Sequence, residues 1–304
     1  MLPYLRIIRP INLGFIALAL GLFKYTFLDT FPLSYALSPL AFWGMVIATM
    51  LIAAGGNVIN DIQDVAIDTI NKPQKVIVTK TISEKAAYNY YMFLTITGVL
   101  LGFWVANAVG KPSLAILFIG SAALLYVYAT SIKSMLLLGN LLVSALVGLS
   151  ILLLVLFAIF PMLEQTDNSL YKTLSKVIFM YAIAAFYINL MRELVKDMQD
   201  INGDQNGGRK TLPIVLGVSR TTMVVFAMGV FGFFLLLFFC YYELYPYPWV
   251  LFYFLVILGG SMLFFCIQAW TAEKQKHFAR LSNWLKLILF LGLGSIPFIK
   301  ILIP

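Results

Sequence analysis

The sequence predicts an all-α polytopic membrane protein with nine transmembrane helices, because it is strongly apolar and contains nine long apolar runs. Of the 304 residues, 62% are hydrophobic and only 11% are charged, whereas soluble domains carry about 25% charged residues. A helix needs roughly 20 apolar residues to cross a hydrocarbon core about 30 Å thick. Runs of this kind lie at residues 11–28, 39–56, 88–109, 113–130, 137–160, 176–195, 221–242, 249–270 and 284–303.

The first, second and sixth runs carry signals of their own. The first contains an A-x-A pattern at Ala17 and Ala19, but the apolar run before that pattern is too short for a signal peptide and a longer one follows. It is therefore predicted to be an uncleaved first helix. The second and sixth runs each lead directly into a cluster of acidic residues.

Basic residues near the ends of the predicted helices indicate the orientation of the chain. Short loops rich in Lys and Arg are retained on the cytoplasmic side. One face of the bundle collects 16 of the 21 basic residues and the other face collects five. We therefore expect a multi-pass protein of the plasma or inner membrane, with its amino terminus cytoplasmic and its carboxyl terminus on the opposite face. The net charge of +8 follows from this asymmetry, and no nucleic-acid partner is predicted.

The two acidic clusters share one spacing. The first reads N-V-I-N-D-I-Q-D-V-A-I-D over residues 57–68, and the second reads E-L-V-K-D-M-Q-D-I-N-G-D over residues 193–204. Spacings of three and then four residues are predicted to place the carboxylates of each cluster on one helical face. These carboxylates are Asp61, Asp64 and Asp68 in the first cluster and Asp197, Asp200 and Asp204 in the second.

Such stacked carboxylates repel one another unless a cation lies among them. Its ligands must be oxygen atoms, because Cys240 and Cys266 lie inside apolar runs and His277 is the single histidine. Mg²⁺ fits this inventory, since it is usually held by one or two carboxylates together with substrate phosphates. The sequence thus predicts magnesium ions bridged by a diphosphate between the clusters. The alternative is that both clusters are solvated helix ends.

A constant offset of 136 residues relates the two clusters. It aligns Asp61 with Asp197, Asp64 with Asp200 and Asp68 with Asp204. The offset spans four helices, an even number, and so predicts a parallel internal repeat around a central cavity open to the cytoplasmic face. We expect one domain over residues 1–304, with repeat halves near 1–136 and 137–272 and a final helix at 284–303. The copies differ where Asn60 aligns with Lys196, whose charge suits a phosphate oxygen.

These motifs resemble those of the UbiA superfamily of intramembrane prenyltransferases over nearly the whole chain. The first cluster matches the family's N-D-x-x-D-x-x-x-D, and the second matches its D-x-x-D-x-x-x-D. Between them, Y-A-T-S-I-K followed by L-G-N is similar to the family's Y-S-x-x-L-K with L-G-N. This match places Tyr128, Lys133, Gly139 and Asn140 in the loop between helices four and five.

The resemblance implies Mg²⁺-dependent transfer of a polyprenyl group from its diphosphate to a lipid or aromatic acceptor. Magnesium and cations then stabilise the leaving diphosphate. The implied catalytic residues are Asp61, Asp64, Asp197, Asp200 and Lys133, with the four aspartates as first metal ligands. Asp68 and Asp204 ligate the metal through water or hold basic residues. The candidates for diphosphate contact are Asn57, Asn60, Arg9, Tyr128, Arg192, Lys196, Lys75, Arg209 and Lys210. We expect the polar segments at residues 69–85 and 202–220 to cover the site.

The second cluster favours one branch of the superfamily. R-E-L-V-K-D-M-Q-D-I-N-G-D, followed by T-L-P, resembles the geranylgeranylglyceryl phosphate geranylgeranyltransferase branch. This branch implies an anionic lipid acceptor. Aromatic acceptors such as 4-hydroxybenzoate, dihydroxynaphthoate or a chlorophyllide-like compound are the alternative. Lys75 departs from the branch, which more often has arginine at this position. Lysine keeps the positive charge but cannot bind a phosphate through two parallel N–H groups, as arginine does.

Two other classes of membrane protein share some of these features. An ion-coupled secondary transporter also combines repeats with buried acids, but it places its ionisable groups near the bilayer midplane rather than at one face. A CDP-alcohol phosphotransferase binds magnesium through aspartates, yet it requires a D-G-x-x-A-R string that this sequence lacks. Uptake into proteoliposomes tests the first alternative, and release of CMP tests the second.

Overall fold

A computed structural model describes residues 2–163 and 168–303 of the chain. Within these residues, nine helices are long and apolar enough to span a membrane, which confirms the predicted number. They are α1 (Pro10–Thr30), α2 (Pro39–Gln63), α3 (Glu84–Ala108), α4 (Pro112–Thr130), α5 (Leu138–Leu163), α6 (Ser169–Gln199), α7 (Val218–Leu244), α8 (Pro248–Trp270) and α9 (Gln275–Leu302).

Side-chain caps begin several of these helices at residues that the chain supplies locally. The Ser38 hydroxyl accepts a hydrogen bond from the Ala41 N–H at 3.3 Å, and the Ser83 hydroxyl begins α3 in the same way. Pro39 occupies the first position of α2, where a missing N–H needs no partner. The Asn168 side chain accepts from the Leu170 N–H at 2.8 Å and begins α6.

Two helices continue beyond the apolar runs that predicted them and end inside the acidic clusters. Both α2 and α6 end one residue before the second aspartate of their cluster, Asp64 or Asp200. These aspartates have nearly equal backbone angles, φ −96° and ψ 3° against φ −103° and ψ 9°. Short helices follow at Val65–Asn71 and Ile201–Asn206. The three carboxylates of each cluster therefore do not share one continuous helix, because the helix is interrupted at the second aspartate.

The long helices pack so that the ends of α2 and α6 lie at the same end of the bundle, here called the motif end. Helix α2 packs against α3 and α4, α5 packs against α6, α6 also contacts α9, and α7 packs against α8. The short helices Val65–Asn71 and Ile201–Asn206 contact each other directly. This packing brings together two clusters that are 136 residues apart in sequence.

The distribution of apolar side chains is that of a protein surrounded by lipid. Phe23, Phe42 and Phe157 are fully buried in the core, yet Phe238 is 61% exposed and Trp249 is 85% exposed. Because lipid chains are as apolar as these side chains, their exposure costs little in a bilayer. The chain is a multi-pass integral membrane protein.

Candidate active site at the motif end

Asp64 lies at the centre of the first cluster and is held by cations from distant parts of the chain. Lys133, in the loop between α4 and α5, places its Nζ 2.6 Å from Asp64 Oδ1. Arg209 forms an ion pair with the same oxygen. Asn60 donates a hydrogen bond to Asp64 Oδ2 at 2.8 Å. The buried Asp64 carboxylate is thereby fully paired.

Asp61, one turn earlier, is paired separately. The Arg9 guanidinium, which precedes α1, lies 2.5 Å from Asp61 Oδ1. Asn57, one turn further from the motif end, donates to the Ile8 carbonyl oxygen at 3.0 Å. These two contacts fix the start of α1 against α2. They also place Arg9, a predicted diphosphate-binding residue, beside the first cluster.

The second cluster is held by a different set of partners. Lys72 Nζ lies 2.5 Å from Asp200 Oδ2, and Arg209 Nη1 lies 2.8 Å from Asp204 Oδ1. The Asn140 side chain donates to Asp197 Oδ2 at 2.8 Å. Asn140 belongs to the L-G-N motif, so its amide gives that motif a direct contact with a carboxylate of the second cluster.

The segment that follows each cluster contacts the other cluster, an arrangement we call cross-pairing. Asn71 and Lys72 follow the first cluster, and both bind Asp200: the Asn71 side chain donates to its carbonyl oxygen at 2.8 Å. Asn71 also accepts from the Gly203 N–H at 2.8 Å. Arg209 follows the second cluster and binds Asp64. Each of the two polar segments that were predicted to cover the site therefore contacts the cluster on its opposite side.

Asn60 and Lys196 occupy aligned positions in the two clusters, but they differ in charge and in whether their partner lies later or earlier in the chain. Asn60 donates to Asp64, one turn later. Lys196 instead pairs with Glu193 Oε1, one turn earlier, at 2.7 Å. Arg192 Nη1 lies 3.3 Å from the same Glu193 oxygen. The second cluster therefore has its additional cation paired with the glutamate that precedes it rather than with the aspartate that follows it.

A cavity of about 370 Å³ opens beside the two clusters. Its polar lining includes residues that the sequence singled out: Arg9, Asn57, Asn60, Tyr128, Arg192 and Lys196. Farther in, the lining is mostly apolar and includes Phe15, Leu117, Phe118, Leu146, Val147, Ile151, Leu289 and Leu293. This arrangement offers a charged entrance to an anionic headgroup and an apolar interior to a hydrocarbon tail.

Some predicted residues lie outside this network, and some residues in it were not predicted. Lys75 and Lys210 are exposed and lie outside the ion pairs formed by the described residues. Asn71, Glu193 and Lys286 belong to the site or its cavity, although none of them was predicted to have a role there. Of these three residues, Glu193 alone lies within a sequence motif that could have indicated its role, the R-E-x-x-K-D string.

Burial changes the protonation behaviour of the charged groups that lie outside the spanning helices. It raises the pKa of Asp204 to about 6, against the opposing attraction of Arg209. Burial also raises the pKa of Asp68, with repulsion from Asp64 adding to the effect. It lowers the pKa of the Lys133 ammonium in spite of the adjacent Asp64. Each shift reflects the loss of water around a charged group.

The donor atoms of the site fit Mg²⁺. They are carboxylate and amide oxygens, which this hard cation prefers. Asp200 Oδ1 is buried and has no hydrogen-bond partner among the described residues, so it is open to a cation. Over the same residues, no three acidic, histidine or cysteine side chains converge on one point. Such a site relies on one or two carboxylates per ion with phosphate oxygens completing the shell, which is common for magnesium.

Comparison with known proteins places this arrangement in a family. Residues 33–291 match the UbiA prenyltransferase family. The chain is 37% identical over 183 residues to a digeranylgeranylglyceryl phosphate synthase of Methanoculleus marisnigri, an alignment that covers 60% of each protein. It is 28% identical over 301 residues to the enzyme of the same name from Methanosphaera stadtmanae, covering 97% of this chain and 98% of the relative.

Solved structures share the fold at low sequence identity. A UbiA homologue from Aeropyrum pernix K1 has a TM-score of 0.67 at 15% identity, covering 95% of this chain and 98% of that one. A UbiA homologue from Archaeoglobus fulgidus, solved with DMAPP and Mg²⁺, has a TM-score of 0.57 at 16% identity, covering 96% and 98% of the two chains. Because the UbiA prenyltransferase family matches residues 33–291, most of the chain, this protein belongs to that family and is a prenyltransferase.

Proposed function

We propose that this prenyltransferase uses Mg²⁺ to transfer a polyprenyl group from its diphosphate to an anionic lipid, with geranylgeranylglyceryl phosphate as the preferred acceptor. The observation that carries the proposal is the meeting of two aspartate clusters, whose neighbours Asn60 and Lys196 line the polar part of a cavity that is otherwise mostly apolar. The diphosphate binds between the clusters, and the prenyl chain occupies the interior. The Archaeoglobus fulgidus homologue, solved with DMAPP and Mg²⁺, supports the same donor class.

In the proposed reaction, a hydroxyl oxygen of the acceptor forms a bond to the first prenyl carbon. The bond from that carbon to the diphosphate oxygen breaks, diphosphate leaves, and the hydroxyl proton passes to the departing diphosphate. Bound magnesium supplies positive charge to the leaving group. Asp64 and Asp200 would hold the ions, and Lys133 and Arg209, which pair with Asp64 in this structure, would then donate to diphosphate oxygens. The apolar interior keeps water away from the allylic carbon.

The anionic acceptor rests on the relatives and on the charge of the cavity wall. The relatives named above are digeranylgeranylglyceryl phosphate synthases. Four cationic side chains line the cavity, against one acidic side chain, Glu193. The cations are Arg9, Arg192, Lys196 and Lys286. Three of them are not paired with an aspartate of either cluster in the part of the chain that the structure describes. This surplus suits a second anion beyond the donor diphosphate.

We further propose a cytoplasmic motif end and a fold made of two repeats. The proposed orientation rests on the excess of basic residues at that end. The repeat is supported by matching helix interruptions 136 residues apart, at Asp64 and Asp200, where the two backbones have nearly equal angles. Cysteine labelling from each side of sealed vesicles, at Lys75→Cys and Tyr245→Cys, tests the orientation.

Product analysis tests the acceptor class. We expect purified protein, given Mg²⁺, geranylgeranyl diphosphate and geranylgeranylglyceryl phosphate, to form a diether whose mass is that of the acceptor with one hydrogen replaced by a geranylgeranyl group. The same incubation with EDTA is the control and should give no product. A prenylated benzoate or naphthoate, with no product from geranylgeranylglyceryl phosphate, would contradict the anionic lipid acceptor and favour the aromatic alternative.

Metal binding is expected to depend on pH through Asp204. Its raised pKa of about 6 means that the carboxylate is mostly protonated at pH 5, whereas a carboxylate that ligates the metal through water must be deprotonated. Affinity for Mn²⁺, used as a paramagnetic substitute for Mg²⁺, should therefore rise about tenfold between pH 5 and pH 7 and change little above pH 7. Electron paramagnetic resonance of free Mn²⁺ without donor measures this affinity. Asp204→Asn should weaken the dependence, to which the raised pKa of Asp68 also contributes, and an unaltered pH profile in this variant would contradict a role of Asp204 in metal binding.

A further inference from the structure

Lys286 is a cation inside the cavity to which the reaction described above assigns no role. It lies in α9, and its Nζ donates to the Asn12 side-chain oxygen at 2.9 Å. The same ammonium lies 5.2 Å from the centre of the Phe15 ring. Both partners are uncharged, and no acidic side chain within residues 2–163 and 168–303 forms an ion pair with Lys286. Its positive charge is therefore not neutralised locally.

Arg192 contributes a second cation to the same cavity, on α6, which packs against α9. One of its terminal nitrogens pairs with Glu193 at 3.3 Å, a long contact. Its Nε is buried and has no hydrogen-bond partner among the described residues. Arg192 and Lys286 repel one another electrostatically. The two cations are partly buried and repel each other, and one guanidinium nitrogen lacks a hydrogen-bond partner. An anion bound between them would stabilise this arrangement.

This cationic pair lies deeper in the bundle than the aspartate clusters. Arg192 precedes the end of α6 by seven residues, roughly 10 Å along the helix axis. Lys286 lies eleven residues into α9, about 16 Å from its first residue. The cations beside the clusters, by contrast, come from loops and the segment before α1: Arg9, Lys72, Lys133 and Arg209. The donor diphosphate has its own cations at the clusters, so Lys286 and Arg192 are free for a different anion.

We infer that Lys286 and Arg192 bind the phosphate of the acceptor, as a subsite separate from the one that binds the donor diphosphate. The inference rests on the proposed anionic lipid acceptor. In a glyceryl phosphate, the phosphate-bearing carbon is adjacent to the carbon whose hydroxyl is prenylated. Phosphate held at this pair therefore directs the hydroxyl toward the clusters, while the acceptor's hydrocarbon chain lies along apolar residues that follow on the same helix, Leu289 and Leu293.

The test compares Lys286→Met with Lys276→Met in the full-length, detergent-solubilised protein. Methionine keeps an unbranched apolar stem and removes the charge, and Lys276 is an exposed lysine on the same helix. We expect Lys286→Met to weaken binding of geranylgeranylglyceryl phosphate at least ~10-fold, since a charged hydrogen bond to phosphate is lost. The KM for geranylgeranyl diphosphate should stay unchanged. Lys286→Arg should restore most of the acceptor affinity, and Lys276→Met should bind the acceptor normally.

Dephosphorylated acceptor, geranylgeranylglycerol, separates a phosphate contact from a packing effect. The unaltered protein should bind it at least ~10-fold more weakly than the phosphate, whereas Lys286→Met should distinguish the two acceptors much less. Equal loss of affinity for both acceptors, or a change confined to the KM of the donor, would overturn the subsite. If the unaltered protein forms no product from geranylgeranylglyceryl phosphate, the proposed function falls together with the subsite. Product formation with normal acceptor binding by Lys286→Met overturns the subsite alone.

Discussion

Asp64→Asn and Asp200→Asn are each expected to lower kcat by at least ~10²-fold, which corresponds to about 3 kcal/mol of lost transition-state stabilisation. Each substitution removes a carboxylate that the proposed function assigns to a magnesium ion beside the diphosphate. Steady-state assays with saturating donor and acceptor measure the effect. Glu84→Gln is the matched control, because Glu84 is an exposed acid at the start of α3. Activity that survives in EDTA would contradict the metal assignment.

The two variants should differ in stability even though both lose activity. The Asp64 carboxylate pairs with two cations whose side chains are little exposed, Lys133 at 10% and Arg209 at 14%. Asp64→Asn leaves the buried Lys133 without an acidic partner, whereas Arg209 keeps Asp204, and breaking a buried ion pair in this way costs about 3–5 kcal/mol. Asp200 pairs with Lys72, whose side chain is 27% exposed and regains water more easily. Thermal unfolding in one detergent should show a much larger loss for Asp64→Asn, and equal losses would contradict this account of the ion pairs.

Gly139→Ala is expected to lower kcat at least ~10-fold without removing any charged group. A Cβ atom at this position would lie 2.9 Å from Lys133 Cα and 3.2 Å from a ring carbon of Tyr128. Backbone at Lys133 must then move, and with it the ammonium that lies 2.6 Å from Asp64. The next residue, Asn140, holds Asp197, so the change disturbs supports of both clusters. Displacements of about 1 Å in an active site cost up to ~10²-fold in rate.

A second glycine provides the control for this substitution. Gly120 lies within α4, and a Cβ atom there would meet no other atom within 4 Å. Gly120→Ala should therefore keep full activity and gain roughly 0.5–1 kcal/mol of helix stability. Comparison of kcat and thermal unfolding for the two variants separates the close contact at Gly139 from a general effect of alanine. Full activity of Gly139→Ala would show that the loop tolerates the shift.

The sequence by itself determined the elements of this protein and the chemistry at their ends. Nine apolar runs predicted nine helices because a bilayer requires about 20 apolar residues per crossing. The acidic clusters stood out because charge is costly next to lipid and is kept only where it has a partner. Their equal spacing and the motif between them were sufficient to predict the family, since these signals lie within short stretches of chain.

Only the tertiary structure decided which charge pairs with which. Arg209 reaches Asp64 across 145 residues, and Lys72 reaches Asp200 across 128. Lys196 turns to Glu193 rather than to an aspartate of its own cluster. Long cationic side chains can reach several carboxylates, so their partners depend on how the helices pack and not on sequence spacing. No sequence motif marked Lys286, and it lines the cavity because α9 packs against α6.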